Sequence, residues 1–335
     1  MPECIFCRVD KPVESFNREH VLPKSFGTFK GSPVLREVVC EECNTHFGRT
    51  LDLALARSSS EGLERYAWRI KPSEDVGRFR YGDVVIRLDA PETEWHHALV
   101  RKIPGGDAGD TVIELIPQAI FTQKDGVGVV HVPLWDLQSG KWRSDDTVDT
   151  SKGIRVLALA DEYDLVKDAL RAQGIAWREE GELPAPPSGP GEEATVHHEF
   201  RVSDELRRAI AKLAFNYFAY AFGREAALDP TFDALRAYIR FGTSPELHPV
   251  RLVKHSRLGI QKPDGTVPVV HYLTLERDRS GAALLAHVTL FHWAVYMVVL
   301  TPTCPASLAD VGRGHLFNIA DRTCHELRLQ RKPLS

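Results

Sequence analysis

The 335-residue sequence has only two methionines, only six cysteines and no strong excess of charge of either sign. Its formal net charge of -4 excludes a protein that coats nucleic acid through overall charge, although a local basic patch could still bind it. The phosphate-binding patterns GxGxxG and GxxxxGK[ST] are both absent. The sequence therefore predicts no nucleotide-binding loop of these two kinds.

Long uninterrupted apolar segments are also absent. The first residues, MPECIFCR, form no apolar leader, and we expect a cytoplasmic protein without a membrane anchor. Residues 282–300 are the most apolar segment, but His287, Thr289 and His292 interrupt it, which favours buried strands over a membrane span. With 43% hydrophobic and 26% charged residues, the chain is long enough for two or three folded domains.

Four of the six cysteines form two Cys-x-x-Cys pairs, Cys4/Cys7 and Cys40/Cys43. A gap of two residues lets both thiolates of a pair face one ion, so the two pairs predict a closed tetrahedral zinc site. Four unrelated free thiols are the alternative. Disulfides are disfavoured because cytosolic thiols stay reduced.

The segment between the cysteine pairs has the composition of a hairpin. Residues 13–22 predict a strand that Pro23 ends, residues 24–33 carry the turn formers, and residues 34–39 predict the return strand. From Phe47 to Leu55 the apolar residues keep a helical period. The predicted order is strand, strand, helix, with the zinc site at its base.

These features resemble the zinc-bearing branch of the HNH, or ββα-metal, endonucleases. The motifs that carry the resemblance are CIFC, EHVLP and CEECNTHFG, all within about the first 60 residues. The resemblance implies that Glu19 and Asn44 are oxygen ligands of a catalytic Mg²⁺ or Mn²⁺. It also implies that His20 is the general base that deprotonates the attacking water, a role that an imidazole can fill near neutral pH.

The motif CEECNTHFG contains two residues, Asn44 and His46, that could be the metal ligand on the helix. Asn44 directly follows the cysteine pair and is our choice of ligand, while we expect His46, about 200° away around the helix, to be a surface or packing residue. Asp52 lies too far along the helix to join the ion, and we expect it to pair on the surface with a residue such as Arg49. The family's middle asparagine would fall near Leu35.

We expect an α+β chain in four parts. They are the HNH module at residues 1–60, a β-rich middle domain at 61–180, a Pro/Gly-rich linker or loop at 181–195, and an α+β carboxy-terminal region at 196–335. In the last part, Ser203 predicts the cap of a long helix that ends at Gly223, and Asp229-Pro230 the start of another.

The segment 236–262 contains six arginine or lysine residues and only one acidic residue, Glu246. A solvated surface is one interpretation, and a patch that contacts nucleic-acid phosphates is the other. The predicted nucleic-acid contacts are Lys24, Arg251, Lys254 and Arg257.

The sequence therefore predicts a metal-dependent endonuclease that hydrolyses phosphodiester bonds in nucleic acid, most simply DNA. A structural zinc and a catalytic Mg²⁺ or Mn²⁺ are its expected ions. The carboxy-terminal region is expected to select the target, sense a signal or bind a protein partner, as in effectors of bacterial restriction and phage defence. The alternative is a zinc-knuckle protein that has lost catalysis and only binds nucleic acid or a partner.

Overall fold

The computed structural model describes residues 1–72, 84–106, 111–144, 147–176, 181, 194–243, 248–253, 268–291, 294–308 and 311–328. The chain forms two compact units. Unit 1 comprises Met1–Asp83 with Arg201–Ser335, and unit 2 comprises Val84–Phe200. Both contain helices and antiparallel sheets, which confirms the predicted α+β class.

The amino-terminal part of unit 1 has the predicted order of two strands and a helix. Strands β1 (Glu19–His20) and β2 (Val34–Leu35) are antiparallel, with Glu19 opposite Leu35 and His20 opposite Val34. The strands are much shorter than predicted, because residues 13–15 form a 3₁₀ helix and Phe16 bridges to Cys40 at the start of the helix. Three helices follow: α1 (Glu41–Arg49), α2 (Leu51–Arg57) and α3 (Ser60–Ala67).

Unit 2 is the predicted β-rich part of the chain. Its elements are β3 (Val84–Leu88), β4 (Leu99–Pro104), β5 (Thr111–Leu115), β6 (Gln118–Gln123), β7 (Val129–Pro133), α4 (Leu134–Ser139), β8 (Val148–Asp149), β9 (Arg155–Leu157), α5 (Tyr163–Ala172) and β10 (Val196–Phe200). One sheet has the order β10-β3-β4-β5, and in the other β6 pairs with β7, β8 and β9. Pro117, which has no N–H to donate, separates β5 from β6.

The carboxy-terminal part of unit 1 begins with the predicted helices. Helix α6 (Asp204–Phe222) starts where the Ser203 hydroxyl accepts a hydrogen bond from the Leu206 N–H at 3.4 Å. It is followed by α7 (Arg224–Ala227) and α8 (Asp233–Phe241), and α8 ends at Gly242 in the left-handed conformation with φ of 70°.

An antiparallel sheet of six described strands completes unit 1. The strands are β11 (Val250–Val253), β12 (Val270–Arg277), β13 (Leu284–Leu290), β14 (Ala294–Thr301), β15 (Arg313–Asn318) and β16 (Thr323–Arg328). Their order in the sheet is β11-β14-β13-β12-β15-β16. The apolar residues 282–300, predicted as buried strands, form β13 and β14 in its interior.

One hydrophobic core joins the two sequence segments of unit 1. Helix α6 is buried over most of its length, and its Phe215 ring meets that of Phe6 edge-on at 5.7 Å. Residues from the predicted 1–60 and 196–335 domains thus share a single core, so residue 60 does not bound a compact unit. In the same way Val196–Phe200, predicted to open the carboxy-terminal region, pairs with β3 inside unit 2. Most of the predicted linker, residues 182–193, lies outside the described part of the chain.

Candidate functional site

The four paired cysteines come together at the base of the hairpin. One ligand atom from each of Cys4, Cys7, Cys40 and Cys43 lies within 4.8 Å of all the others. The Sγ atoms of Cys7 and Cys40 are 3.8 Å apart. Sulfur atoms bound to one tetrahedral zinc at about 2.3 Å would lie about 3.8 Å apart, so the spacing fits that ion. These four residues are free thiols and form no disulfide.

Their protonation also suits a bound cation. A hydrogen bond from Cys43 lowers the pKa of the Cys4 thiol to about 4, while burial raises the pKa of Cys7 to about 11. The cluster therefore stabilises one thiolate, at Cys4, and a second negative charge, at Cys7, is unfavourable. A divalent ion that prefers sulfur would remove this penalty, because metal binding deprotonates its thiol ligands. The donor set therefore fits the predicted structural metal.

His20 ends the first strand and is half-buried. Partial burial lowers the pKa of its imidazole, and the charges of Lys24 and Arg18 lower that pKa further. After β1, Pro23 precedes a 3₁₀ helix over Lys24–Phe26, so the chain does not continue as a strand. Because β1 ends at His20, the strand does not force Glu19 and His20 to opposite faces of a longer sheet. An imidazole with a lowered pKa is neutral at pH 7 and can accept a proton.

Glu19 is buried, only 6% exposed, and is held by two side chains of α6. Its Oε1 lies 2.7 Å from the Lys212 ammonium and accepts a hydrogen bond from the Asn216 amide at 2.9 Å. Burial raises the pKa of Glu19, an effect that the Lys212 charge opposes. Sequence reasoning missed Lys212 and Asn216. Their signal was two polar residues, four apart on one face of the mainly apolar segment 209–222 of α6.

Asp52 also binds Lys212. The ammonium donates to both Asp52 oxygens, at 2.8 and 3.0 Å. The expectation that Asp52 pairs on the surface with Arg49 is therefore wrong, because α6 covers this face of α2. Burial alone would lower the pKa of Lys212, but the carboxylates of Asp52 and Glu19 outweigh it and hold that pKa above its ordinary value. One buried cation thus serves two carboxylates.

Asn44 lies in the first half of α1 and is half-buried. Its side-chain amide donates to the Asn17 side-chain oxygen at 2.6 Å, which ties the helix to the segment that leads into β1. Asn17 was not singled out in the sequence. His46 is exposed and its ring lies 5.6 Å from that of Phe47, as expected for a surface residue.

The predicted oxygen ligands of a second ion do not form an open site in this arrangement. Glu19 is held by Lys212 and Asn216, and Asn44 is bonded to Asn17. In the described part of the chain, the cysteine cluster is the one group of three or more Cys, His, Asp or Glu close enough to share an ion. Glu19 would have to leave Lys212 before it could hold Mg²⁺ or Mn²⁺, whereas the hydrogen bond of Asn44 to Asn17 uses its amide N–H and not its oxygen.

The predicted nucleic-acid contacts are only partly described. Lys24 and Arg251 are exposed, and Arg251 lies on the edge strand β11. Lys254 and Arg257 lie outside the described residues. Arg236, from the same basic run, is buried and donates to the Ala227 carbonyl at 2.6 Å, so it stabilises α8 and does not face phosphate.

The described helices include none that is both long and apolar enough to cross a membrane.

Comparison with known proteins supports the resemblance seen in the sequence. Residues 4–60 match the family model described as HNH endonuclease. This segment holds the four cysteines, the Glu19-His20 pair and Asn44. No curated protein and no solved structure matches the chain. The amino-terminal segment of the chain therefore carries an HNH endonuclease domain, and residues 61–335 lie outside the match.

Proposed function

We propose that the chain is a metal-dependent endonuclease that hydrolyses phosphodiester bonds in DNA. The observation that carries this proposal is His20, whose lowered pKa leaves it neutral at physiological pH inside a segment that matches the HNH endonuclease family. The matched segment also contains a four-cysteine cluster that fits a structural zinc.

In the proposed mechanism, His20 takes the proton of the attacking water. Lys24 and Arg18, which lower its pKa electrostatically, attract the phosphate to the same place. A Mg²⁺ or Mn²⁺ ion, when bound, would neutralise the phosphate and the departing 3′ oxygen. Its proposed ligands are the Glu19 carboxylate, which must first leave Lys212, and the side-chain oxygen of Asn44.

The carboxy-terminal region is proposed to hold or select the target. Exposed Arg251, together with Lys24, supports phosphate contacts that extend beyond the small hairpin, and Lys254 and Arg257 are proposed to continue the patch. A protein partner or a second copy of the chain is also proposed to bind through this region. A role in bacterial restriction or phage defence rests on analogy, and unchanged phage plating on cells that express the chain would argue against it.

The decisive experiment measures cleavage of plasmid and linear DNA and of RNA with Mg²⁺, Mn²⁺ or EDTA. His20→Ala is expected to cut about 10²- to 10⁴-fold more slowly, the usual contribution of a general base, while its zinc content and DNA affinity are unchanged. His46→Ala, an exposed histidine of the same module, is the matched control and should cut normally. An undiminished rate in His20→Ala would remove the assignment.

A non-catalytic binding protein is the second candidate. It is favoured by Leu35, which stands where the family has its middle asparagine, and by the engagement of Glu19 with Lys212. Under this hypothesis the chain binds nucleic acid with normal salt dependence but cuts no substrate with any divalent ion. Metal-dependent cleavage that requires His20 excludes it.

A further inference from the structure

The side chains around Lys212 have the composition of a divalent-cation site. Glu19 and Asp52 supply carboxylate oxygens, and Asn216 supplies an amide. The Asn216 residue is fully buried, and its Oδ1 has no hydrogen-bond partner among the described residues. A buried amide oxygen without a partner is costly, and it is also a ligand type that Mg²⁺ and Mn²⁺ accept. Two carboxylates therefore meet at one buried position, and Asn216, whose amide N–H is bonded to Glu19, carries the third oxygen donor.

The ammonium of Lys212 fills that position. It lies 2.7 Å from Glu19 Oε1 and 2.8 Å from Asp52 Oδ2, with its side chain 2% exposed. Lys212 carries its positive charge there, paired with two carboxylates. A second cation at the same place would meet this charge at close range in a partly desolvated environment. Lysine and a divalent ion are thus alternative occupants.

We propose that Glu19, Asp52 and Asn216 form a latent divalent-cation site and that the Lys212 ammonium occupies it until α6 moves. The proposal rests on the function proposed above, and it changes the expected ligand set. Asp52 and Asn216 join Glu19, and the carboxy-terminal part of unit 1 controls metal binding through a residue that is not in the matched segment. Lys212 is an autoinhibitory residue and not a catalytic one.

The test measures Mn²⁺ binding by electron paramagnetic resonance on zinc-loaded full-length protein, without nucleic acid. Lys212→Met keeps the length of the side chain and removes its charge. It is expected to bind Mn²⁺ at least about tenfold more tightly than the natural chain, because the Lys212 ammonium no longer repels the ion. Adding Glu19→Gln or Asp52→Asn to this variant should abolish the gain. Lys30→Met, at an exposed lysine, is the control and should bind Mn²⁺ as the natural chain does.

A second arm does not depend on the folding of Lys212→Met. With Lys212 in place, Glu19→Gln should leave Mn²⁺ binding unchanged, because Glu19 is not yet a ligand. Weaker binding in this single variant would overturn the proposal. So would a zinc-retaining Lys212→Met protein, with a normal unfolding transition, that gains no Mn²⁺ affinity.

The outcome for the site is separable from that for the enzyme. Mn²⁺ binding by Lys212→Met without any cleavage would support the site and contradict the endonuclease. Cleavage that requires His20, with Mn²⁺ affinity indifferent to Lys212, would support the endonuclease and overturn the site.

Discussion

At the scale of single residues, the sequence identified groups that act through local motifs and missed those that act through distant contacts. The Cys-x-x-Cys pairs and the Glu-His dipeptide are visible because their spacing carries the chemistry. The Asn216 partner of Glu19 lies 197 residues away, and the Lys212 partner of Asp52 lies 160 away. No local pattern encodes such pairs, so the environment of Glu19 could not be predicted.

The lowered pKa of His20 makes a prediction about the dependence of cleavage on pH. Only neutral imidazole accepts a proton, so kcat/KM should rise with pH and level off, with a midpoint below the ordinary histidine value of about 6.5. Lys24→Gln removes one charge that lowers this pKa, so its midpoint should move to higher pH. Values of kcat/KM between pH 4.5 and 8.5 report the protein without bound DNA and therefore measure both midpoints.

The control for this profile is Lys30→Gln, which removes an exposed charge at another point of the hairpin. Its midpoint should equal that of the natural chain. A midpoint that is the same in all three proteins would show that the titrating group is not an imidazole beside Lys24.

At the scale of elements, helices were predicted more accurately than the short strands. Ser203 and Gly223 bound α6 as expected, because caps and apolar period are local signals. The strand composition of residues 13–22 was misleading, since only Glu19–His20 pairs with the return strand. The cysteine cluster and the bridge from Phe16 to Cys40 determine the backbone there, and tertiary contacts override strand propensity.

Helix α6 should be the element on which the stability of unit 1 depends most. Phe215 is fully buried, and its ring lies 5.7 Å from those of both Phe6 and Phe232. Phe215→Ala should lower the free energy of unfolding by about 3–5 kcal/mol, through lost burial and the cavity left behind. Urea denaturation followed by circular dichroism measures this change.

Phe241→Ala is the matched control, because Phe241 ends α8 with 67% of its surface exposed. It should change the free energy of unfolding by at most about 0.5 kcal/mol, the usual range for surface substitutions. Equal losses in the two variants would contradict the packing assigned to α6.

At the scale of the whole molecule, composition predicted the β-rich middle region. It did not predict that the residues before and after this region form one compact unit. The Pro/Gly-rich segment suggested a boundary, yet β10 beyond it pairs with β3. The sequence predicted a separate module at residues 1–60, whereas the apolar residues of this segment enter one core with α6 and the six-stranded sheet. Which surfaces a module buries depends on partners that its own sequence does not specify.

This shared core determines what loss of the structural metal should do. Cys40→Ser removes one thiolate from a closed site whose binding energy contributes to folding, so zinc should be lost. Because Phe6 and Phe47 pack in the core that contains α6, hydrogen exchange should accelerate in residues 204–222 as well as in residues 4–60. Unit 2 has a separate core around Phe121 and Val166, and its exchange should stay slow.

Cys304→Ser, at a half-buried cysteine outside the cluster, is the control and should keep both its zinc and the slow exchange of α6. Fast exchange confined to residues 4–60, with α6 still protected, would show that the HNH module folds independently and that the core described here does not couple it to α6.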